Sequence, residues 1–203
     1  MQVAHVVAPQ PGEFIIDCCS APGGKTTHLA ALMKNQGRIV AGDIYEHKLA
    51  KIEENAARLG ISIIDTELLD ARDVGRRFKS QADRVLVDAP CSGLGVLRRK
   101  PDARWKKDEA AIAKLPQLQL DILTSAAAAV RPGGVLVYST CTIERAENEE
   151  VVEAFLATHP EFSLSETGSF LPTQPRAGSM VQLYPQVDGT DGFFIARMER
   201  KQQ

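Results

Sequence analysis

The sequence predicts an α/β domain: a Rossmann-like, doubly wound, mostly parallel sheet of seven strands, with an antiparallel hairpin at one edge. Three observations predict it. Short apolar runs alternate with helical stretches through the first 158 residues. A glycine turn, Ser20-Ala21-Pro22-Gly23-Gly24, follows the first apolar run, where such folds hold a nucleotide. Two further apolar runs close the chain without a full helix between them.

Residues 1–12 read as an ordered lead-in that ends in the turn Pro11-Gly12. Glu13 to Cys18 is the first strand, and a helix runs from about Lys25 to Lys34, with Gly37 as its left-handed cap. Arg38 to Asp43 is strand two. Glu46 to Leu59 is a helix with Leu49, Ile52, Ala56 and Leu59 on one face, capped by Gly60. Ile61 to Leu69 holds strand three, Asp73 to Phe78 a short helix, and Asp83 to Asp88 strand four. After a basic loop over 91–107, Asp108 to Val130 is helical with a break near Pro116. Arg131-Pro132-Gly133-Gly134 turns into strand five, 135–140, and Glu147 to Thr158 is a further helix. Val181 to Tyr184 and Gly192 to Met198 are the closing strands.

Composition bounds the function. At 203 residues the chain is one domain with a sizeable core. It has no 18-residue apolar run for a membrane span and no visible signal peptide. Cys18, Cys19, Cys91 and Cys141 have no CxxC spacing, which suits a reducing cytoplasmic setting. No metal site is expected. A net charge of −2 excludes a generic polyanion binder.

The glycine turn constrains the cofactor. Gly24-Lys25-Thr26 resembles the end of a Walker A loop, but Cys19 stands where that motif needs glycine, and Pro22 removes a backbone N–H from the nest. The dinucleotide pattern GxGxxG is absent as well. Asp43, 19 residues after Gly24, ends strand two at a spacing suited to a ribose diol. A nucleoside cofactor without pyrophosphate fits, and S-adenosylmethionine is the common one. Asp70 can reach its adenine edge, Asp17 can order the loop, and Lys25 can offset a carboxylate.

Cys91 and Cys141 each follow an apolar run, so both lie over the carboxyl edge of the sheet. Thiols there suit methylation at C5 of a pyrimidine: addition of a thiolate to C6 makes C5 nucleophilic. Asp88 is placed to stabilise charge at N3. Spacing alone does not choose the attacking thiol.

Four ordered motifs, Asp17 to Thr27, Asp88-Ala89-Pro90-Cys91-Ser92-Gly93, Ser139-Thr140-Cys141-Thr142 and Asp191-Gly192-Phe193-Phe194, resemble the RNA cytosine-C5 methyltransferases. The resemblance spans nearly the whole chain. It implies that Cys141 is the nucleophile and that Cys91 aids product release. It implies a cofactor site lined by Cys19, Ser20, Ala21, Pro22, Gly23, Gly24, Lys25, Asp43, Asp70 and Asp88. It further implies that 1–203 is a catalytic domain acting on 16S ribosomal RNA; the chain departs from the family in lacking its long N-terminal RNA-binding region, and a monomer is expected. The alternative is an adenosylmethionine-binding fragment, inactive without that region. For RNA grip, Arg98, Arg99, Lys100, Arg104, Lys106 and Lys107 share one ten-residue window with Asp102, a local charge of +5, and Trp105 is available to stack on a base.

Overall fold

The computed structural model describes residues 2–99, 101–106, 108–172 and 175–202, with backbone only for Ala103, Arg104 and Lys106. The chain runs α1 (Gln2–Val7), β1 (Phe14–Asp17), α2 (Gly24–Leu32), β2 (Arg38–Asp43), α3 (Glu46–Arg58), β3 (Ile64–Leu68), α4 (Val74–Arg77) and β4 (Ala82–Asp88). It continues with α5 (Glu109–Ile112), α6 (Leu115–Ala129), β5 (Val130–Thr140), α7 (Glu149–Thr158), β6 (Phe162–Leu164), β7 (Met180–Leu183), α8 (Pro185–Asp188) and β8 (Phe193–Arg200).

One sheet holds all these strands in the order β3-β2-β1-β4-β5-β8, with β6 and β7 sharing the far side of β8. β1 to β5 are parallel, and β8 is antiparallel to β5. The mostly parallel sheet and the β7–β8 hairpin are therefore as expected, but the strand count is eight among the described residues. The outermost position is split: β6 takes residues 198–200 of β8 and β7 takes 193–196. β6 has only three residues, too few to carry a period.

Strand alternation divides the core. Ile16, Val40, Val85, Val87, Leu136 and Tyr138 face α4, α6 and α7 through Val74, Leu123, Ala126, Val152 and Phe155. Ile15, Ile39, Leu86 and Val137 face the other way, onto Val3, Val6 and Val7 of α1 and Leu29 and Met33 from α2. The lead-in is thus a helix with a buried face. β5 begins five residues early, because Val130 already pairs with Ala82 before the register shifts to Arg84 and Val135. The expected turn 131–134 is a bulge within that strand.

One face residue and one cap differ from expectation. Leu59 is 51% exposed, lying past the buried stripe of Leu49, Ile52 and Ala56. Lys34 and Asn35, not Gly37, take the left-handed conformation that ends α2. Gly37 serves close packing instead: a Cβ there would sit 2.4 Å from the Glu13 carbonyl. The helix break near Pro116 is as read, with Pro116 in the first turn of α6.

Candidate active site

The strand order reverses between β1 and β4, and the candidate residues gather over that switch point. Two cavities open at the carboxyl edge. The smaller, about 260 Å³, is lined by Asp17, Cys19, Ser20, Ala21, Pro22, Gly24, Lys25, His28 and Asp88. The larger, about 610 Å³, includes Asp43, Ile44, Tyr45, Asp70 and Leu118 in its wall. Cys19, Ala21 and Asp88 belong to both, so the two cavities adjoin and together form a trough along this edge. Its size is in the range of small-molecule sites.

Asp17 closes β1 fully buried. Its Oδ2 accepts a hydrogen bond from Thr26 at 2.8 Å, while Oδ1 has no partner among the described residues. Burial raises its pKa to about 7, against the opposing bond from Thr26. Because the folded value lies above the ordinary 3.8, folding stability falls as pH rises from about 4 through about 7. Asp17→Asn should flatten this slope, by on the order of 3 kcal/mol between pH 4 and pH 8. Calorimetric melts across that range read it, and an unchanged slope in the variant would refute the assignment.

Asp88 ends β4 at the junction. Its Oδ2 accepts from Lys25 Nζ at 2.7 Å and its Oδ1 from Ser139 Oγ at 2.9 Å. Burial acts to lower the Lys25 pKa, but the Asp88 charge and hydrogen bond outweigh it, so the ammonium is held above its usual value. Lys25 also lies 5.2 Å from the centroid of the Phe193 ring.

The parallel register pairs Asp88 with Ser139, which brings the next turns of β4 and β5 together. The Cys91 and Cys141 sulfurs are 3.2 Å apart, and the Cys141 N–H donates to Cys91 Sγ at 3.3 Å. The hydrogen bond from Cys91 lowers the Cys141 pKa to about 7; burial and Asp88 oppose this and Lys25 favours it. The same bond, then burial, drives Cys91 far above a normal thiol. Burial likewise raises Cys18 and Cys19. Of the four cysteines, Cys141 alone is shifted toward the thiolate, the reactive form.

Backbone packing holds this corner. Gly95 N–H donates to the Cys141 carbonyl at 3.0 Å, and Gly192 N–H to the Gly95 carbonyl at 2.8 Å. A Cβ on Gly95 would lie 2.0 Å from the Gly192 carbonyl, so this approach requires glycine.

Over residues 4–199 the sequence matches the family described as 16S rRNA methyltransferase RsmB/F. The chain belongs to this family. A probable ribosomal RNA small subunit methyltransferase B of Bacillus subtilis (strain 168) is 47% identical over 209 residues, which is 99% of this chain and 46% of the relative. Ribosomal RNA small subunit methyltransferase B of Salmonella typhi is 40% identical over 198 residues, 98% of this chain and 44% of the relative. The chain therefore spans less than half the length of these relatives. A crystal structure of NSun6 from Pyrococcus horikoshii with SFG has 36% identity and a TM-score of 0.86, covering 100% of this chain and 51% of that one.

Within this RsmB/F-family chain, most residues singled out from the sequence converge on the trough. Cys19, Ser20, Ala21, Pro22, Gly24, Lys25, Asp43, Asp70 and Asp88 line it. Gly23 does not; with φ 99° it turns the chain into α2, and a Cβ there would press on Ile52 at 3.2 Å. Asp70 reaches the trough but is already engaged. It caps the turn at Arg72 N and pairs with the Arg72 guanidinium at 2.6 Å, which lowers its pKa. Cys91 and Cys141 stand beyond Asp88, outside the trough wall.

The basic window is less free than its charge suggests. Arg98 and Arg99 both pair with Asp191, and Arg98 also donates to the Gly189 carbonyl. Trp105 is 76% exposed, so it does not anchor the loop in the core. Lys100 and Lys107, with the side chains of Arg104 and Lys106, lie outside the described residues. Sequence reading missed Ser139, which donates to Asp88, and the buried polar residues Gln119, Glu147 and Asn148, which hydrogen-bond to the neighbours of Cys91 and Cys141. Gln119 carried a signal: it is a polar residue at helical spacing with Ile122, Leu123 and Ala126 on the buried face of α6.

Proposed function

We propose that residues 1–203 are a catalytic domain that binds S-adenosylmethionine and methylates C5 of a cytosine in RNA, with small-subunit ribosomal RNA as substrate, through a Cys141–C6 adduct. The observation that carries this reading is the thiol pair at 3.2 Å, with the Cys141 pKa lowered to about 7, beside an Asp88 that borders the trough. A lone buried cysteine packs as a small apolar residue, whereas a thiolate held against a thiol is poised for attack. Family membership supports a ribosomal RNA substrate, and the bound SFG of the NSun6 structure is in keeping with a nucleoside ligand.

The trough suits the cofactor on chemical grounds. Asp17 Oδ1 is a buried acceptor with no hydrogen-bond partner among the described residues, which an ammonium group would satisfy. Asp43 is positioned for ribose hydroxyls, and Ile44 and Leu118 supply apolar wall for a purine. When bound, S-adenosylmethionine supplies an electrophilic methyl group. The chain's own part is to hold Asp88 and Lys25 beside the reacting edge, where they would face the base, and to present Cys141 to C6. The target base must leave its stack to reach this edge.

A second reading, adenosylmethionine binding without catalysis, is favoured by one observation: Arg98 and Arg99 are already paired with Asp191. Calorimetry with S-adenosylmethionine, followed by transfer of a labelled methyl group to unmodified small-subunit ribosomal RNA, separates the two. Binding and 5-methylcytosine formation are expected. Binding without transfer supports the second reading, and no binding sinks both.

A further inference from the structure

The two thiols are gripped from one place. Glu147 and Asn148, the dipeptide just before α7, are 1% and 0% exposed. Glu147 Oε2 accepts from Ser92 N–H at 2.8 Å and from Gln119 Nε2 at 2.9 Å. Gln119 Nε2 also donates to the Pro90 carbonyl at 2.9 Å. Both backbone neighbours of Cys91 are therefore fixed by this Glu147–Gln119 pair. Asn148 does the same for Cys141: its Oδ1 accepts from Thr140 Oγ1 at 2.5 Å and its Nδ2 donates to the Thr142 carbonyl at 3.2 Å. The Glu147 carbonyl accepts from Tyr138 Oη at 2.6 Å, tying the dipeptide to β5, and Ser92 Oγ meets Thr142 Oγ1 at 2.8 Å between the loops.

We infer that Glu147 and Asn148, with Gln119, are positioning residues that clamp the neighbours of Cys91 and Cys141 and so hold the two sulfurs within hydrogen-bonding distance. The inference rests on the proposed roles of the two thiols. A carboxylate is an expensive group to bury, and Glu147 Oε1 lacks a partner among the described residues. An apolar side chain would fill this space at lower cost. What it would not do is offer one acceptor to two donors from the Cys91 loop and α6. Separation matters steeply here, because a sulfur hydrogen bond is lost within about an ångström, and with it the preference for a Cys141 thiolate.

The test is the pH dependence of Cys141 alkylation by iodoacetamide, with peptide mass spectrometry reading the site, in the absence of RNA and cofactor. The wild-type midpoint is expected near 7. In Glu147→Ala it should rise by about one unit toward a free thiol, with a roughly five-fold slower reaction at pH 7. Glu147→Gln, which keeps an acceptor oxygen, should restore most of the wild-type profile. Gln119→Met, close in volume and free of buried charge, should shift the midpoint in the same direction and decides the matter if Glu147→Ala does not fold, as read by its thermal melt. A midpoint within about 0.2 units of wild type in folded Glu147→Ala or, where that variant does not fold, in Gln119→Met would overturn the inference. Because no RNA is present, an absence of methyl transfer by the wild-type chain would count against the proposed function alone.

Discussion

Replacing Cys141 with alanine should abolish both the covalent RNA adduct and methyl transfer, whereas replacing Cys91 should leave the adduct and block its release. The asymmetry follows from a proton shared by two sulfurs 3.2 Å apart. On the proposed roles Cys141 takes the thiolate and Cys91 the proton, in keeping with the directions in which the contact shifts the two thiols. When Cys141 bonds to C6, its charge passes into the ring and Cys91 no longer faces an anion. The main cause of its raised pKa is then gone, and Cys91 can ionise, its proton passing to solvent as the one proton the reaction releases. In the proposed reaction, once C5 is methylated Cys91 would take the C5 proton, the C5–C6 double bond would re-form, and Cys141 would leave as thiolate. The starting pair is restored. Without Cys91 the sequence stops at the methylated adduct. Without Cys141 the loss should be at least about 10³-fold, since the nucleophile itself is gone. Denaturing gels of protein with RNA read the adduct, and labelled methyl incorporation reads turnover. An adduct that survives in Cys141→Ala would reverse the two roles.

The second large effect is expected at Asp88. Asp88→Ala should lower kcat by roughly 10²–10³-fold, the usual scale for removing a preorganised group that meets developing charge. Its two oxygens are held by Lys25 at 2.7 Å and Ser139 at 2.9 Å, so it is oriented before substrate arrives. Loss of Asp88 also frees Lys25, whose ammonium is partly buried, to approach Cys141 and stabilise its thiolate. The alkylation midpoint of Cys141 should therefore fall or stay level while turnover collapses. That combination separates a direct role at the base from indirect damage to the nucleophile. A kcat within ten-fold of wild type would remove Asp88 from the catalytic group. Ser139→Ala, which removes only one of its two partners, should cost less than Asp88→Ala itself.

Much of this architecture was legible because strands and helices advertise themselves by period. The five parallel strands, the α3 stripe and the break before Pro116 all follow from apolar spacing and turn residues. Elements shorter than one period did not show. β6 has three residues, and its existence depends on β8 offering 198–200 as a pairing edge. The bulge at 131–134 reads as a turn because its Pro and Gly are turn residues, yet Val130 is already committed to Ala82. Local charge misled as well: Arg98 and Arg99 form part of a basic window in sequence, but their partner Asp191 is more than ninety residues away.

The sequence by itself determined the doubly wound order, the glycine turn, the two thiols at strand ends and the acids at positions 43, 70 and 88. These depend on local pattern, which the chain carries wherever it is. Only the tertiary structure decided which of those groups act on one another. It engages Asp70 with Arg72 and, among the described residues, leaves one oxygen of Asp17 unmatched at the trough. It sets Lys25 and Ser139 on Asp88, and brings Glu147 and Asn148 beneath two loops fifty residues apart. The physical reason is that thiol acidity depends on distances of a few ångströms between groups far apart in the chain, and the register of β4 against β5 sets those distances.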